Sequence, residues 1–162
     1  MANTEEQGVI IDKEIPIEMQ IDFLRKSIFD RDLATYKVLK DNLGEKADDL
    51  YFAIKEAILQ AMVKDLGMQL DFEDIKKQAG GPDKILGYRL KVDHEKPDEM
   101  QFSMLNCPYW ERAKKYGFEK DICKIVCDWE AQQAHRMGCE MSILSRIAEG
   151  DEKCTLKLSL TK

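Results

Sequence analysis

Apolar residues recur along this chain first with a helical period and later, beyond about residue 84, with the alternation of strands. After Pro16, "IEMQIDFLRKSIFDRDLATYKVLKDNLG" places Ile17, Ile21, Leu24, Ile28, Leu33, Tyr36 and Leu39 at near-helical intervals, and Gly44 supplies a stop. The crowded charges from Asp30 to Asp32 predict a break that divides this stretch into two helices. "KADDLYFAIKEAILQAMVKDLG" repeats the period through Leu50, Ala53, Ile54, Ala57, Ile58, Ala61 and Met62, and ends at Gly67. Its small residues would let another element approach closely. A short third helix is expected over Asp71 to Gln78, before "AGGPDK" interrupts the chain.

The second half has a different character. "ILGYRLKVD" has strand composition, "HEKPDE" is turn material and "MQFSMLNC" is a second strand, so the three predict a hairpin. Pro108 keeps Cys107 out of helical geometry while suiting the first turn of a helix over "PYWERAKKYG". "EKDICKIVCDWEAQQAHRMG" predicts a longer helix closed by Gly138. "CEMSILSRIA", the turn "EGDEK" and "CTLKLSLTK" form a terminal hairpin whose last strand alternates, with Leu156, Leu158 and Leu160 inward and Thr155, Lys157 and Ser159 outward.

The order strand, strand, helix, helix, strand, strand predicts an α+β fold: N-terminal helices followed by an antiparallel sheet of two hairpins with helices packed on one face. Residues 1–14 read as a flexible arm or short edge strand. Residues 15–162 read as one domain, with a helical half over about 15–80 and a sheet-and-helix half over about 84–162.

Composition narrows the classes of function. The chain has 162 residues, 44% apolar and 35% charged, with a net charge of −6, which suits a globular domain with its own core. Lys and Arg are interspersed with acids and form no basic stripe, so nucleic acid is not an expected partner. No apolar run approaches the roughly 18 residues needed to span a bilayer, so no membrane partner is expected. The start, "MANTEEQGVIIDKE", lacks the pattern of a secretory signal, and the expected location is the cytoplasm. A small-molecule ligand is the expected partner, with assembly into a homo-oligomer left open.

An odd number of cysteines, five, in a reducing compartment argues against a disulfide framework. They read as buried small hydrophobes, metal ligands or reactive thiols. In the longer helix, Ile122, Ile125, Val126, Trp129 and Met137 share the expected core face. Cys123 and Cys127 lie one turn apart on its flank, with Glu130 and Ala134 continuing their stripe and Asp128 and His135 around the other side. Cys154 shares parity with the inward leucines. Cys107 precedes a helix start, whose positive end would lower its pKa and suit it as nucleophile or metal ligand. The C-x3-C spacing of Cys123 and Cys127 differs from the close C-x2-C pairs of structural zinc. Completing a site would need Cys107, Cys154, Glu130 or a histidine. His135 or His94 could also act as base to a cysteine, although both positions suit solvated surface histidines. Arg146, expected within the strand "MSILSRIA", either reaches the sheet edge or presents its planar donor fork to a ligand carboxylate.

From Cys107 onward the chain resembles the L-2-amino-thiazoline-4-carboxylic acid hydrolase family. The likeness lies in Cys107-Pro108 opening a helix, in Cys127-Asp128 on the next helix, and in Arg146, Gly150 and Cys154 spaced R-x3-G-x3-C before the last strand. It covers the final third. The terminal hairpin is also similar to four-vinyl-reductase-like small-molecule-binding domains, whose cysteine-rich segment can bind zinc. Arg146 stands here where those domains carry a further cysteine. The resemblance implies a hydrolase that opens a small heterocycle at its C=N carbon with cysteine or metal-bound water. Cys107 or Cys127 would be thiolate or metal ligand, Asp128 base or orienter, and Arg146 carboxylate clamp. A zinc or iron ion is the candidate cofactor, with Cys123, Cys127 and Cys154 as its ligand set. The competing functions are a non-catalytic sensor or carrier of a small molecule or metal, and a subunit whose thiols are merely buried.

Overall fold

The computed structural model describes residues 14–66, 72–73 and 82–161. Helix α1 spans Ile17–Leu43 without a break. The interruption expected at Asp30 to Asp32 is absent because no Gly or Pro lies within the helix, and both acids are engaged by distant partners. Arg112 grips Asp30 with two donors, and Tyr51 and Lys55 bind Asp32. Neither carboxylate is left to compete for backbone N–H groups, which is how Asp disfavours helix interiors. Gly44, at φ +59°, ends α1 in a conformation that L side chains rarely adopt. A 3-10 turn, Gly44–Lys46, leads into α2, Ala47–Leu66.

The apolar face that α1 buries is Phe29, Leu33 and Tyr36. Ile17, Ile21, Leu24 and Ile28, the first part of the expected stripe, are exposed. In α2 the buried residues are Ala47 and Tyr51, whereas Leu50, Ile58 and Met62 are exposed. The two helices meet instead through aromatic edges, with the Tyr36 and Tyr51 rings 4.9 Å apart. Helical spacing marks every apolar stripe alike. Which one is covered depends on where the next element packs.

The expected helix over Asp71–Gln78 lies outside the described residues except for Phe72 and Glu73, which are helical, with Phe72 buried. The proposed arm likewise lies outside them, apart from Glu14. Helix α3 occupies Pro82–Leu86, so "ILG" is not strand. Gly87 turns the chain, and β1 runs Leu90–Lys96. Strand β2 is Glu99–Met104, and the hairpin turn shrinks to Pro97 and Asp98 because Lys96 still pairs with Glu99.

Helix α4, Pro108–Lys115, and helix α5, Asp121–Arg136, follow. Strand β3 is Cys139–Ser145 and β4 is Cys154–Leu160. All pairings are antiparallel, in the order β1-β2-β4-β3. The two hairpins are thus joined through β2 and β4, which set Phe102 against Leu156 and Met104 against Cys154. The architecture is α+β, N-terminal helices followed by this sheet, with helices on one of its faces. On that face Met100 and Leu158 pack with Ala134 of α5, Cys139 and Phe72.

Three details of the last strands differ from expectation. Strand β3 stops at Ser145 and a 3-10 turn, Ile147–Glu149, follows, so Arg146 lies beyond the strand. Leu160 is 43% exposed at the end of the pairing, while Thr155, expected outward, is buried and hydrogen-bonded to Ser145 at 3.0 Å. Helix α5 buries Ile122, Cys123, Gln133 and Ala134, and Trp129 is only half-buried. Its core face is therefore turned from the tryptophan toward the thiol stripe. Among the described residues no helix is long and apolar enough to cross a membrane.

Candidate functional site

Cys107 sits where the chain leaves β2 and enters α4. Its extended backbone, φ −129° and ψ 92°, makes it the N-cap, and its sulfur accepts the Trp110 backbone N–H at 3.3 Å. This is the capping role usually taken by Ser or Asp. Pro108 at the first helical position needs no partner for a missing N–H. Cys123, in the first turn of α5, is the thiol that acts on it most strongly. That thiol and the Trp110 N–H hold the Cys107 pKa below the ordinary thiol value, against the opposing cost of burial.

The other sulfurs around it stay protonated. Donation to Cys107, reinforced by burial, pushes Cys123 well above the usual range. Burial, then the Glu130 carboxylate, pushes Cys127 up to about 12. Burial also raises Cys154, although its sulfur accepts the Ile147 N–H at 3.2 Å. Each of Cys123, Cys127 and Cys154 feels the Cys107 charge, and Arg146 acts favourably on Cys127 and Cys154. Four sulfurs from α4, α5 and β4 thus share one electrostatic neighbourhood at the sheet end where helices cap it. Within that group the Cys107 pKa is lowered and the other three are raised. Cys139, the fifth cysteine, is buried separately against the other core cluster.

Arg146 approaches this group from the 3-10 turn. Its side chain is 19% exposed and its Nη1 lies 3.6 Å from Glu149, while its buried Nε lacks a hydrogen-bond partner. The buried indole Nε1 of Trp129 lacks one too. Unmet donors in a buried position are an unusual cost, and an acceptor supplied by a ligand would remove it. Gly150, at φ +104°, closes the turn that carries Arg146 back toward Cys154.

A second polar cluster adjoins the thiols through Tyr109, two residues after Cys107. The buried Tyr51 hydroxyl donates to Asp32 at 2.7 Å and lies 3.5 Å from the Tyr109 hydroxyl. Lys55 reaches Asp32 and the Tyr51 hydroxyl, and its ammonium stands 5.0 Å from the centre of the Trp129 ring. Burial first, and then the Asp32 charge, raises the pKa of Tyr51. Burial likewise raises that of Tyr109, helped by Tyr51 and Asp32. Glu130 links the clusters electrostatically, acting on Tyr51, Cys107 and Cys127. The pattern had placed Glu130 on the thiol stripe. Asp32, Tyr51 and Lys55 carried no signal beyond an acid and a cation flanking apolar stripes.

Of the residues singled out in the sequence, Cys107, Cys123, Cys127, Cys154 and Arg146 act on one another electrostatically. Asp128 is half-buried on a different side of α5, about 100° from Cys127 around the helix, and the carboxylate acting on Cys127 is Glu130. His94 is a half-exposed hairpin residue 3.8 Å from Glu99, and His135 is exposed on α5. Among the described residues no group of three or more His, Cys, Asp or Glu side chains is arranged to hold a metal ion. Two surface depressions, of about 600 and 460 Å³, lie along α1 and neither is lined by a cysteine.

The family model described as L-2-amino-thiazoline-4-carboxylic acid hydrolase matches residues 24–158. The match reaches back into α1, well beyond the final third that carries the sequence motifs. No curated protein and no solved structure matches the chain.

Proposed function

The chain belongs to the L-2-amino-thiazoline-4-carboxylic acid hydrolase family, and from that premise we propose that it opens a small carboxylate-bearing heterocycle by thiolate attack at the C=N carbon. The observation that carries this reading is the capping geometry of Cys107. Its sulfur accepts the Trp110 N–H and has a lowered pKa, while the pKa values of the three neighbouring thiols are raised. A thiol whose pKa is lowered is the better nucleophile for this reaction.

In the proposed course the substrate carboxylate docks on Arg146, whose unpartnered Nε offers one tine of a bidentate fork. The Cys107 sulfur adds to the C=N carbon, and the ring nitrogen takes up a proton. The bond between that carbon and the ring nitrogen then breaks, releasing an amine and leaving the carbon attached to Cys107. Water adds to the same carbon and expels the Cys107 thiolate, so the net change is addition of one water. Glu130, whose charge acts on both Cys107 and Cys127, is the proposed proton carrier in place of Asp128. The course uses no metal.

The test is turnover of 2-amino-thiazoline-4-carboxylate, followed as a gain of one water by mass spectrometry. Cys107→Ser should abolish it while far-UV circular dichroism stays unchanged. Losing the Arg146 fork forfeits a charged hydrogen bond of about 1.5–3 kcal/mol, so Arg146→Met should raise KM roughly 10- to 150-fold. Full activity in Cys107→Ser would remove the thiolate from the mechanism. Uniformly slow reaction of all five thiols until the protein unfolds would favour the purely structural reading.

A further inference from the structure

We infer that the N-terminal part of α1, Ile17 to Ile28, is the contact surface for a second copy of this chain, packed antiparallel across a two-fold axis. Over that stretch the helix holds no buried residue, and its buried face begins at Phe29. Ile17, Ile21, Leu24 and Ile28 are 37% to 60% exposed. At 100° per residue the four lie within about 60° of one another and about 110° around the helix from Phe29, Leu33 and Tyr36. They form a narrow stripe that the chain's own core leaves uncovered, and their spacing of four, three and four residues is that of an a/d helix-pairing seam. The helix start has little else to hold it. Pro16, at the N-cap position, makes no side-chain cap hydrogen bond, and short helical stretches with neither cap nor buried face are marginal in water.

The stripe itself selects its occupant. Its spacing reads the same in both directions, so a two-fold axis between Ile21 and Leu24 sets Ile17 against Ile28 and Ile21 against Leu24, each twice. Flanking charges fix the orientation. Glu18 and Arg25 are seven residues apart and share one edge of the stripe. In an antiparallel pair like edges meet, so Glu18 of each copy faces Arg25 of the other. A parallel pair would set Arg25 against the edge that carries Gln20 and Ser27, where no charge meets it. Arg25 is steadied on its own helix side, because it donates to the Ile85 carbonyl and, at 3.3 Å, to that of Lys84. That hold brings α3 beside the stripe, with Ile85 68% exposed. Roughly 80 Å² of apolar surface on each of the four stripe residues gives about 600 Å² across the axis. Homodimer interfaces are about 65% apolar, so the contact totals about 900 Å², and Ile85 at its edge carries it to the roughly 1,000 Å² at which specific interfaces begin. A contact of that size is weak, and dilution should reverse it.

The experiment is sedimentation velocity on the full-length protein from about 1 to 300 µM. The expected result is a species of twice the 18.7 kDa of one chain at the upper concentrations, dissociating on dilution. Combining Ile21→Glu with Leu24→Glu places unpaired carboxylates at the axis, and this variant should stay at 18.7 kDa throughout. Neither residue belongs to the core, and far-UV circular dichroism checks that the fold persists. Should that variant fail to fold, Glu18→Arg decides, since it sets arginine against arginine and should weaken the dimer about 5-fold. Wild-type protein that stays monomeric at the highest concentration would overturn the proposal, whether residues 1–13 or a different protein cover the stripe. A dimer that survives the paired glutamates, or assembly beyond two copies, would overturn it as well. A dimer indifferent to Glu18→Arg would overturn the antiparallel orientation. The readout is a mass and requires no turnover, so it stands or falls separately from the hydrolase reading.

Discussion

Replacing Tyr51 by Phe removes one hydroxyl from the polar cluster beside the thiols and leaves the ring contacts in place. Tyr51 is 1% exposed, and its hydroxyl donates to Asp32 at 2.7 Å while meeting Tyr109 and Lys55 at 3.5 and 3.4 Å. A hydrogen bond to a charged group contributes about 1.5–3 kcal/mol. Asp32 is 24% exposed and keeps Lys55 at 3.5 Å, so water and the ammonium recover part of the loss. The expected cost is about 2 kcal/mol. Tyr36→Phe is the internal comparison. Tyr36 is just as enclosed and donates to Asp48 at 2.8 Å, but Asp48 is 37% exposed and pairs with Lys40. Its carboxylate returns to water more easily, and about 1 kcal/mol is expected. Urea unfolding with a slope of about 2 kcal/mol/M would move the midpoint down by about 1 M for Tyr51→Phe and about half of that for Tyr36→Phe. Equal shifts, or a larger one for Tyr36→Phe, would refute the argument that enclosure of the acceptor sets the cost.

Three further outcomes follow from the same physical arguments. Iodoacetamide at neutral pH should alkylate Cys107 first, with a rate midpoint below the ordinary thiol value of about 8.5, while Cys127, pushed up to about 12, stays unmodified; peptide mapping of a time course checks the order. Burial holds Tyr36, Tyr51 and Tyr109 protonated in the folded protein, whereas unfolded tyrosine ionises near 10. Stability should therefore be intact below about pH 10 and fall above it, by up to about 1.4 kcal/mol per pH unit for each tyrosine. Gly150→Ala places a Cβ in open space but in the left-handed region, so it should cost about 1 kcal/mol from backbone strain alone. It should also slow turnover, because the same turn carries Arg146 and the Ile147 N–H that holds Cys154.

The residues of the candidate site show where local reading ends. Cys107 was legible because its cap, Pro108 and the helix start are neighbours in the chain. The position of Glu130 on the thiol stripe was also legible, since helical period alone places it there. Its charge effect on Cys107 and Cys127 was not, because that depends on which face of α5 meets its neighbours. Tyr51 and Asp32 were invisible as partners. They lie 19 residues apart and meet only because α1 and α2 fold against each other.

The sequence by itself determined the α+β class, most helix ends, the two hairpins and the capping role open to Cys107. Each follows from contacts within a few residues: period, proline and glycine punctuation, and alternation. Tertiary structure decided that α1 runs unbroken through Asp30, since its partner Arg112 is 82 positions away. It decided which apolar stripes of α1 and α2 are covered, and that β2 pairs with β4 to join the hairpins. It also decided that four sulfurs from three elements share one neighbourhood. Those outcomes depend on which surfaces meet, and pairing between distant segments leaves no periodic trace in a single chain.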